Sequence, residues 1–182
     1  MNRLCSTFLA DRAQDGTVPI FLQKSAHFRP PKNPDAPMIM VGPGTGIAPF
    51  RAFLQERQAR SARGKNWLFF GERSAATDFY YREELETMQR NGYLHRLDTA
   101  FSRDQPQKVY VQHRMIEHGA QLWAWLQDGG HFYVCGDAGR MAKGVDAALR
   151  QVVQTHGLMS ADNAAAYVAQ MTQEKRYVRD VY

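Results

Sequence analysis

The sequence predicts an α/β fold: a doubly wound, mostly parallel five-stranded sheet with helices on both faces. Three observations carry this expectation. Short apolar runs alternate with amphipathic stretches along residues 38–182, two of the runs are apolar on both faces, and a glycine-rich turn directly follows the first of them. Strands buried on both sides belong to parallel sheets, which need a helix to cross between neighbours.

The elements follow in chain order. Residues 26–37 hold four prolines, which rule out a helix or a central strand, so this stretch reads as an extended connector. It divides a leader, residues 1–37, from a main domain, residues 38–182. Met38-Ile39-Met40-Val41 is a wholly apolar strand. Gly42-Pro43-Gly44-Thr45-Gly46 then turns into a helix over 47–60, whose opening suits Pro49. A second strand is predicted over 66–70 and a helix over 79–90, closed by the Asn91-Gly92 stop signal. A third strand spans 95–101, helices span 111–117 and 120–127, and a fourth strand, 131–135, is closed by Gly136. Helices over 140–156 and 161–173 and a last strand over 176–181 complete the chain, with no internal repeat and no low-complexity tract.

Composition narrows the function classes. A chain of 182 residues, 44% hydrophobic and 12% aromatic, has apolar material for one sizeable core. No run approaches the roughly 20 apolar residues needed to span a bilayer. Cys5 and Cys135 lie far apart and the chain opens without a long apolar run, which points to free thiols in a reducing, cytoplasmic setting. The net charge of +5 favours anionic partners. The arginines are dispersed, with no block of like charge and no nucleic-acid motif, so a small phosphate ligand uses them better than a polyanion does. The six histidines show no ligand spacing, His113 and His118 standing five apart, and no metal is expected. Trp123 and Trp125, two apart and so off one helical stripe, read as core and rim packing.

Chemistry concentrates in the turn Gly42-Pro43-Gly44-Thr45-Gly46-Ile47-Ala48-Pro49-Phe50. Glycines there let the backbone approach a phosphate, and the helix start supplies free N–H donors. By itself this pattern is equally that of a plain strand-to-helix turn. The Gly-Lys-Ser/Thr ending of a triphosphate-binding loop is absent, and Ile47 stands where the common dinucleotide fingerprint has glycine.

The loop resembles the pyrophosphate-binding loop of the ferredoxin–NADP reductase superfamily, and further blocks in the same order resemble its diflavin branch. They are Gly71-Glu72-Arg73, Phe101-Ser102-Arg103, the run from Lys108 through Tyr110 and Gln112 to His113, Tyr133-Val134-Cys135-Gly136-Asp137, and the ending from Arg176 to Tyr182. Within the branch, Gly64 to Gly71 and the Arg-Asp-Val-Tyr terminus look most like the flavoprotein component of NADPH-dependent sulfite reductase. The resemblance implies an NADPH-binding part of a flavoprotein oxidoreductase. Gly42, Gly44, Thr45 and Gly46 would then hold the pyrophosphate, while Ser102, Arg103, Lys108, Tyr110 and Gln112 match the group that recognises the adenosine 2′-phosphate, with Arg73 a further cofactor-binding candidate. The residue types agree: Arg and Lys supply charge, Ser and Tyr supply hydroxyls, and Glu72, an acid that would suit a bare ribose, is outweighed by Arg73 and Arg103.

The same resemblance sets Cys135 beside the nicotinamide. It sets Gly136, Asp137 and Met141 in the lining loop, and makes Asp180 and Tyr182 the terminal acid and the flavin-covering aromatic. Taken alone, Cys135 would be a small buried hydrophobe and Tyr182 a surface residue. Cys5, Ser6 and Thr7 match the FAD pyrophosphate segment, although Arg3 replaces a family glycine, the flavin-contacting Arg-x-Tyr-Ser block is absent, and there is no FMN module. The leader therefore reads as a remnant of an FAD-binding domain that does not hold FAD tightly. The implied reaction is hydride transfer from NADPH to FAD, with electrons passing through FMN to an acceptor, by nearest resemblance a sulfite reductase haemoprotein. A cytochrome or fused oxygenase as acceptor stays open. So does a non-catalytic NADPH sensor, which would have no use for Cys135, Asp180 and Tyr182.

Overall fold

The computed structural model describes residues 7–13, 16–21, 25 and 27–182. Its centre is a five-stranded sheet of β1 (Met38–Val41), β2 (Asn66–Glu72), β3 (Arg96–Phe101), β4 (His131–Gly136) and β5 (Tyr177–Val181). The spatial order is β3-β2-β1-β4-β5 and every pairing is parallel, so the sheet is wholly rather than mostly parallel.

Alternation along the strands sorts side chains to two faces. Ile39, Val41, Trp67, Phe69, Phe132 and Val134 point to one core. It is closed by α3 (Val111–Glu117), α4 (Gly119–Gln127), α5 (Met141–His156) and α6 (Ala161–Gln173). Met38, Met40, Leu68, Phe70, Tyr133 and Cys135 point to the other, closed by α1 (Ala48–Ala59) and α2 (Arg82–Arg90). All four residues of β1 are fully buried, each side chain contributing about 1.5–3 kcal/mol of burial, which accounts for a wholly apolar run at the sheet centre. Trp125 packs in the first core and Trp123 at its rim.

The chain winds outward from β1 through β2 to β3, then returns past β1 to β4 and β5. Strand order therefore reverses between β1 and β4, which opens a crevice beyond their carboxyl ends. No helix among the described residues is long and apolar enough to cross a membrane.

One predicted helix is broken. Residues 79–90 do not form a single helix. A turn of helix, Ala75–Asp78, is followed by a non-helical Phe79, and α2 begins only at Arg82 after Tyr81 at φ +58°. Tertiary packing outweighs local propensity here. Phe79 leaves the helical path to stack on Phe70 at 5.3 Å and to meet the Phe101 ring at a tilt at 5.4 Å, and the Arg51 guanidinium lies 4.8 Å over the Tyr81 ring. The stop signal at Asn91-Gly92 holds: Gly92 takes φ +77° and the amides of Gly92 and Tyr93 donate back to Gln89 and Met88. β2 runs on to Glu72, carrying the strand ladder into the site.

Residues 28–37 are tied to the domain at three points. Phe28 is buried among Phe50, Phe53 and Tyr133. Arg57 of α1, only 3% exposed, donates from Nη2 to the carbonyls of Pro34 and Ala36, both at 3.1 Å. Its burial pulls the guanidinium pKa down from the ordinary value. Arg63 pairs with Asp35 through both carboxylate oxygens. Gly64 donates to the Pro34 carbonyl, and a Cβ there would overlap Arg57 Nη2 and the Ala36 carbonyl oxygen. Gly64→Ala must therefore displace the buried guanidinium from its carbonyls. It is expected to cost about 3 kcal/mol, read as a lowered urea midpoint of the purified chain.

Candidate functional site

The crevice is built on close backbone contacts that only glycine permits. Gly42 continues from β1, its amide donating to Phe69 O at 3.1 Å, and a Cβ there would sit 2.6 Å from Gly46 O and from the Phe50 ring. Gly44 takes φ +58°. A Cβ on Gly46 would overlap the carbonyl oxygen of Cys135, so the turn lies directly on the end of β4. Gly44–Ile47 forms a single tight helical turn that runs straight into α1. Its leading N–H groups have no intrahelical acceptor, and Pro49 falls in the opening turn, where its missing N–H costs nothing. Glycine and an open helix start thus face the crevice, a geometry suited to an anion.

A cleft of about 640 Å³ extends from this turn across the ends of β2 and β3. Gly44, Arg73, Ser102, Tyr110, Gln112, Asp137 and Met141 line it, seven of the residues picked out by the sequence. The ladder between β2 and β3 continues past the strand ends, with Ser102 N donating to Glu72 O at 2.9 Å and Arg103 N to Arg73 O at 2.8 Å. Those two bonds hold both loops side by side. The Arg103 and Lys108 side chains are exposed beside this lining rather than within it. Tyr110 precedes α3, its amide donating to His113 Nδ1 at 3.1 Å. Glu72 turns one carboxylate oxygen onto the Arg73 amide at 2.6 Å, so the acid is engaged with its own loop.

Arg140 also lines the cleft and was not singled out by the sequence. The signal for it is its place three residues beyond Asp137. Asp137 Oδ2 accepts from Arg140 N at 2.8 Å and Met141 N at 3.2 Å, and these bonds hold its carboxyl below the usual range. Asp137 is thus a cap for α5 as well as part of the cleft wall. Gly136, at φ +134°, turns the chain out of β4 beneath Met141.

Beyond β4 the chain end closes the site. Cys135 pairs in register with Asp180 of β5. The thiol is 3% exposed, and burial, helped by the Asp180 charge, pushes its pKa up to about 11. Tyr182 N donates to Gly136 O at 3.1 Å and Ala138 N to Tyr182 O at 3.0 Å. The Tyr182 hydroxyl meets Thr45 Oγ1 at 3.0 Å. Thr45, Cys135, Gly136, Asp180 and Tyr182 therefore converge, although they span most of the chain. Cys5 and Ser6 fall outside the described residues, and Thr7, which precedes the short helix Phe8–Arg12, does not line the cleft.

Residues 40–147 match the family described as the oxidoreductase NAD-binding domain. The chain belongs to that family. The match runs from the second half of β1 through β2, β3 and β4 into the start of α5. This NAD-binding domain is similar along nearly its whole length to larger proteins. It is 52% identical over 178 residues to the sulfite reductase [NADPH] flavoprotein alpha-component of Klebsiella pneumoniae, covering 97% of this chain and 30% of that protein. The corresponding figures are 53%, 97% and 30% for the protein of the same name from Aliivibrio fischeri. For that of Bacillus subtilis they are 50%, over 180 residues, with 98% and 30% coverage. The chain thus spans about 30% of the length of the curated relatives it matches.

The domain fits a dinucleotide on its own geometry: Gly42 and Gly46 pack the turn against the Phe50 ring and the Cys135 carbonyl, and Gly44, at the open helix start, lines the end of the cleft, where a phosphate can be met. Among the described residues no group of three His, Cys, Asp or Glu side chains is placed to hold a metal ion.

The raised thiol pKa gives a direct expectation. Cys135 stays protonated through pH 8, so its alkylation by iodoacetamide, followed by peptide mass spectrometry, is expected to run about a hundredfold slower than that of a free cysteine and to rise toward pH 11. Stability runs the same way. The contribution of the neutral thiol is complete below the ordinary thiol pKa and is lost as pH climbs through about 11, because the unfolded thiol ionises first.

Proposed function

We propose that this chain is the NADPH-binding part, residues 38–182, of a flavoprotein oxidoreductase, with residues 1–37 belonging to its FAD-binding domain and a Pro-rich connector. The observation that supports the reading best is the arrangement along one cleft of Arg73, Ser102, Tyr110 and Gln112 at one side and the glycine turn at the other. Arg103 and Lys108 stand exposed beside it. Ser102 and Tyr110 offer hydroxyls to a 2′-phosphate, Arg103 and Lys108 offer charge, and the N–H groups of the turn meet the pyrophosphate.

From the turn, the nicotinamide end runs over β4 to the Cys135–Asp180 pair. The protonated thiol gives a compact, polarizable wall that carries no competing negative charge, and Asp180 supplies a carboxylate beside it. Tyr182 is the aromatic cover of the flavin face. When both cofactors are bound, NADPH supplies a hydride and FAD accepts it; the domain contributes binding, orientation and exclusion of water. The names of the relatives support NADPH as donor within a sulfite reductase flavoprotein. In the whole protein, electrons pass from FAD through FMN to a sulfite reductase haemoprotein, in a reducing cytoplasm.

Calorimetric titration of the purified chain with 2′,5′-ADP and with 5′-AMP tests the reading. Preference for 2′,5′-ADP is expected, and Arg103→Ala together with Lys108→Ala should weaken it by about tenfold or more while leaving 5′-AMP unaffected. Equal affinity for both ligands, or no binding by a folded sample, excludes an NADPH site.

A further inference from the structure

Glu72 stands where the two anion-binding parts of the cleft meet. Its main-chain carbonyl accepts from Ser102 N at 2.9 Å, which sets it against the loop of Ser102 and Arg103. Its side chain is held at one oxygen, Oε2 accepting from Arg73 N at 2.6 Å. The other oxygen reaches the glycine turn: a Cβ on Gly44, first in the turn Gly44–Ile47, would lie 3.4 Å from Glu72 Oε1. Gly44, Glu72, Arg73 and Ser102 all line the cleft. The carboxylate therefore spans the gap between the glycine turn and the wall formed by Arg73 and Ser102.

An acid in this place works against a ligand that is anionic throughout, because a phosphate on the turn comes close to Oε1 and like charges repel. Among the described residues Glu72 enters no ion pair, so its charge is not spent on a cation of the protein. Asp137, the other acid in the lining, is engaged as the cap of α5. A ligand that fits must therefore bring a hydrogen-bond donor to Glu72. In an adenosine 2′,5′-bisphosphate the ribose lies between the two phosphates. Its O2′ and O5′ both carry phosphate, which leaves the 3′-hydroxyl as the one ribose O–H.

We infer that Glu72 Oε1 accepts the ribose 3′-hydroxyl of the adenosine half, so that Glu72 is a binding residue selecting two phosphates joined through a ribose. This rests on the dinucleotide reading given above, in which the turn takes the pyrophosphate and Ser102, Arg103 and Lys108 take the 2′-phosphate. The bond from Arg73 N fixes the carboxylate before the ligand arrives, and the charged acceptor makes the hydroxyl bond one of the stronger kind. An acid that would suit the 2′-hydroxyl of a bare ribose thus keeps a partner one carbon away once that hydroxyl is phosphorylated.

The test compares 2′,5′-ADP with its 3′-deoxy analogue, which keeps both phosphates and lacks only the hydroxyl, by calorimetry on the 182-residue chain. The unaltered chain is expected to prefer 2′,5′-ADP by about tenfold, the size of a hydrogen bond to a charged acceptor. Glu72→Ala is expected to abolish the preference, the signature of two groups acting through one bond. Glu72→Gln keeps an acceptor without the charge and is expected to hold the preference at about threefold. If the unaltered chain binds the two ligands alike, or if the preference survives intact in Glu72→Ala, the 3′-hydroxyl is not the partner of Glu72 although the nucleotide site stands. If the folded, unaltered chain binds neither ligand, the nucleotide reading falls and the role of Glu72 with it.

Discussion

The site depends on the contact between the backbone at Gly46 and the carbonyl of Cys135. With no Cβ between them, the turn after β1 and the end of β4 meet directly at the place where strand order reverses. The crevice is narrow for that reason, and its two halves hold fixed positions relative to one another. Any side chain at Gly46 would lift the turn off β4 and separate the open helix start from the thiol. A Cβ at Gly42 would meet Gly46 and Phe50 from the opposite side, so the turn is held between two such contacts. The buried β1, fully enclosed by its neighbours and by both helical layers, gives this turn a rigid base.

The strand and helix sequence was legible because buried parallel strands and amphipathic helices leave opposite hydrophobic periods, and the runs at Met38 and Phe132 show the first plainly. The glycine turn was legible for a different reason: at Gly42 and Gly46 close contacts leave no room for a side chain, and Gly44 takes a positive φ that glycine adopts most readily, which leaves a mark in the sequence itself. What stayed hidden depends on contacts between distant residues. The break before α2 comes from Phe79 leaving the helix to stack on Phe70 and Phe101, and nothing local in residues 79–82 announces it. The convergence of Thr45 with Tyr182 likewise exists only once β5 lies beside β4. Arg140 was missed because one arginine in a basic chain has no distinguishing neighbourhood until Asp137 fixes its loop.

Charge in the molecule is divided between structural and ligand-facing roles. At the outer strand, Arg96 stacks 4.5 Å over Trp67 and pairs with Asp98, which also accepts from Trp67 Nε1 and meets His118. This cluster covers an exposed strand edge with committed charge. The side chains of Arg103 and Lys108, by contrast, are exposed beside the cleft and enter none of these pairs.

The fastening of residues 28–37 has a mechanical consequence. Phe28 is lodged among aromatic rings, Arg57 grips the carbonyls of Pro34 and Ala36, and Asp35 is clasped by Arg63. A segment held at three places along ten residues behaves as a strut. Torque applied at Phe28 is passed straight to α1, and α1 begins at the turn that faces the cleft, so a pull on this stem reaches the ligand site through one helix.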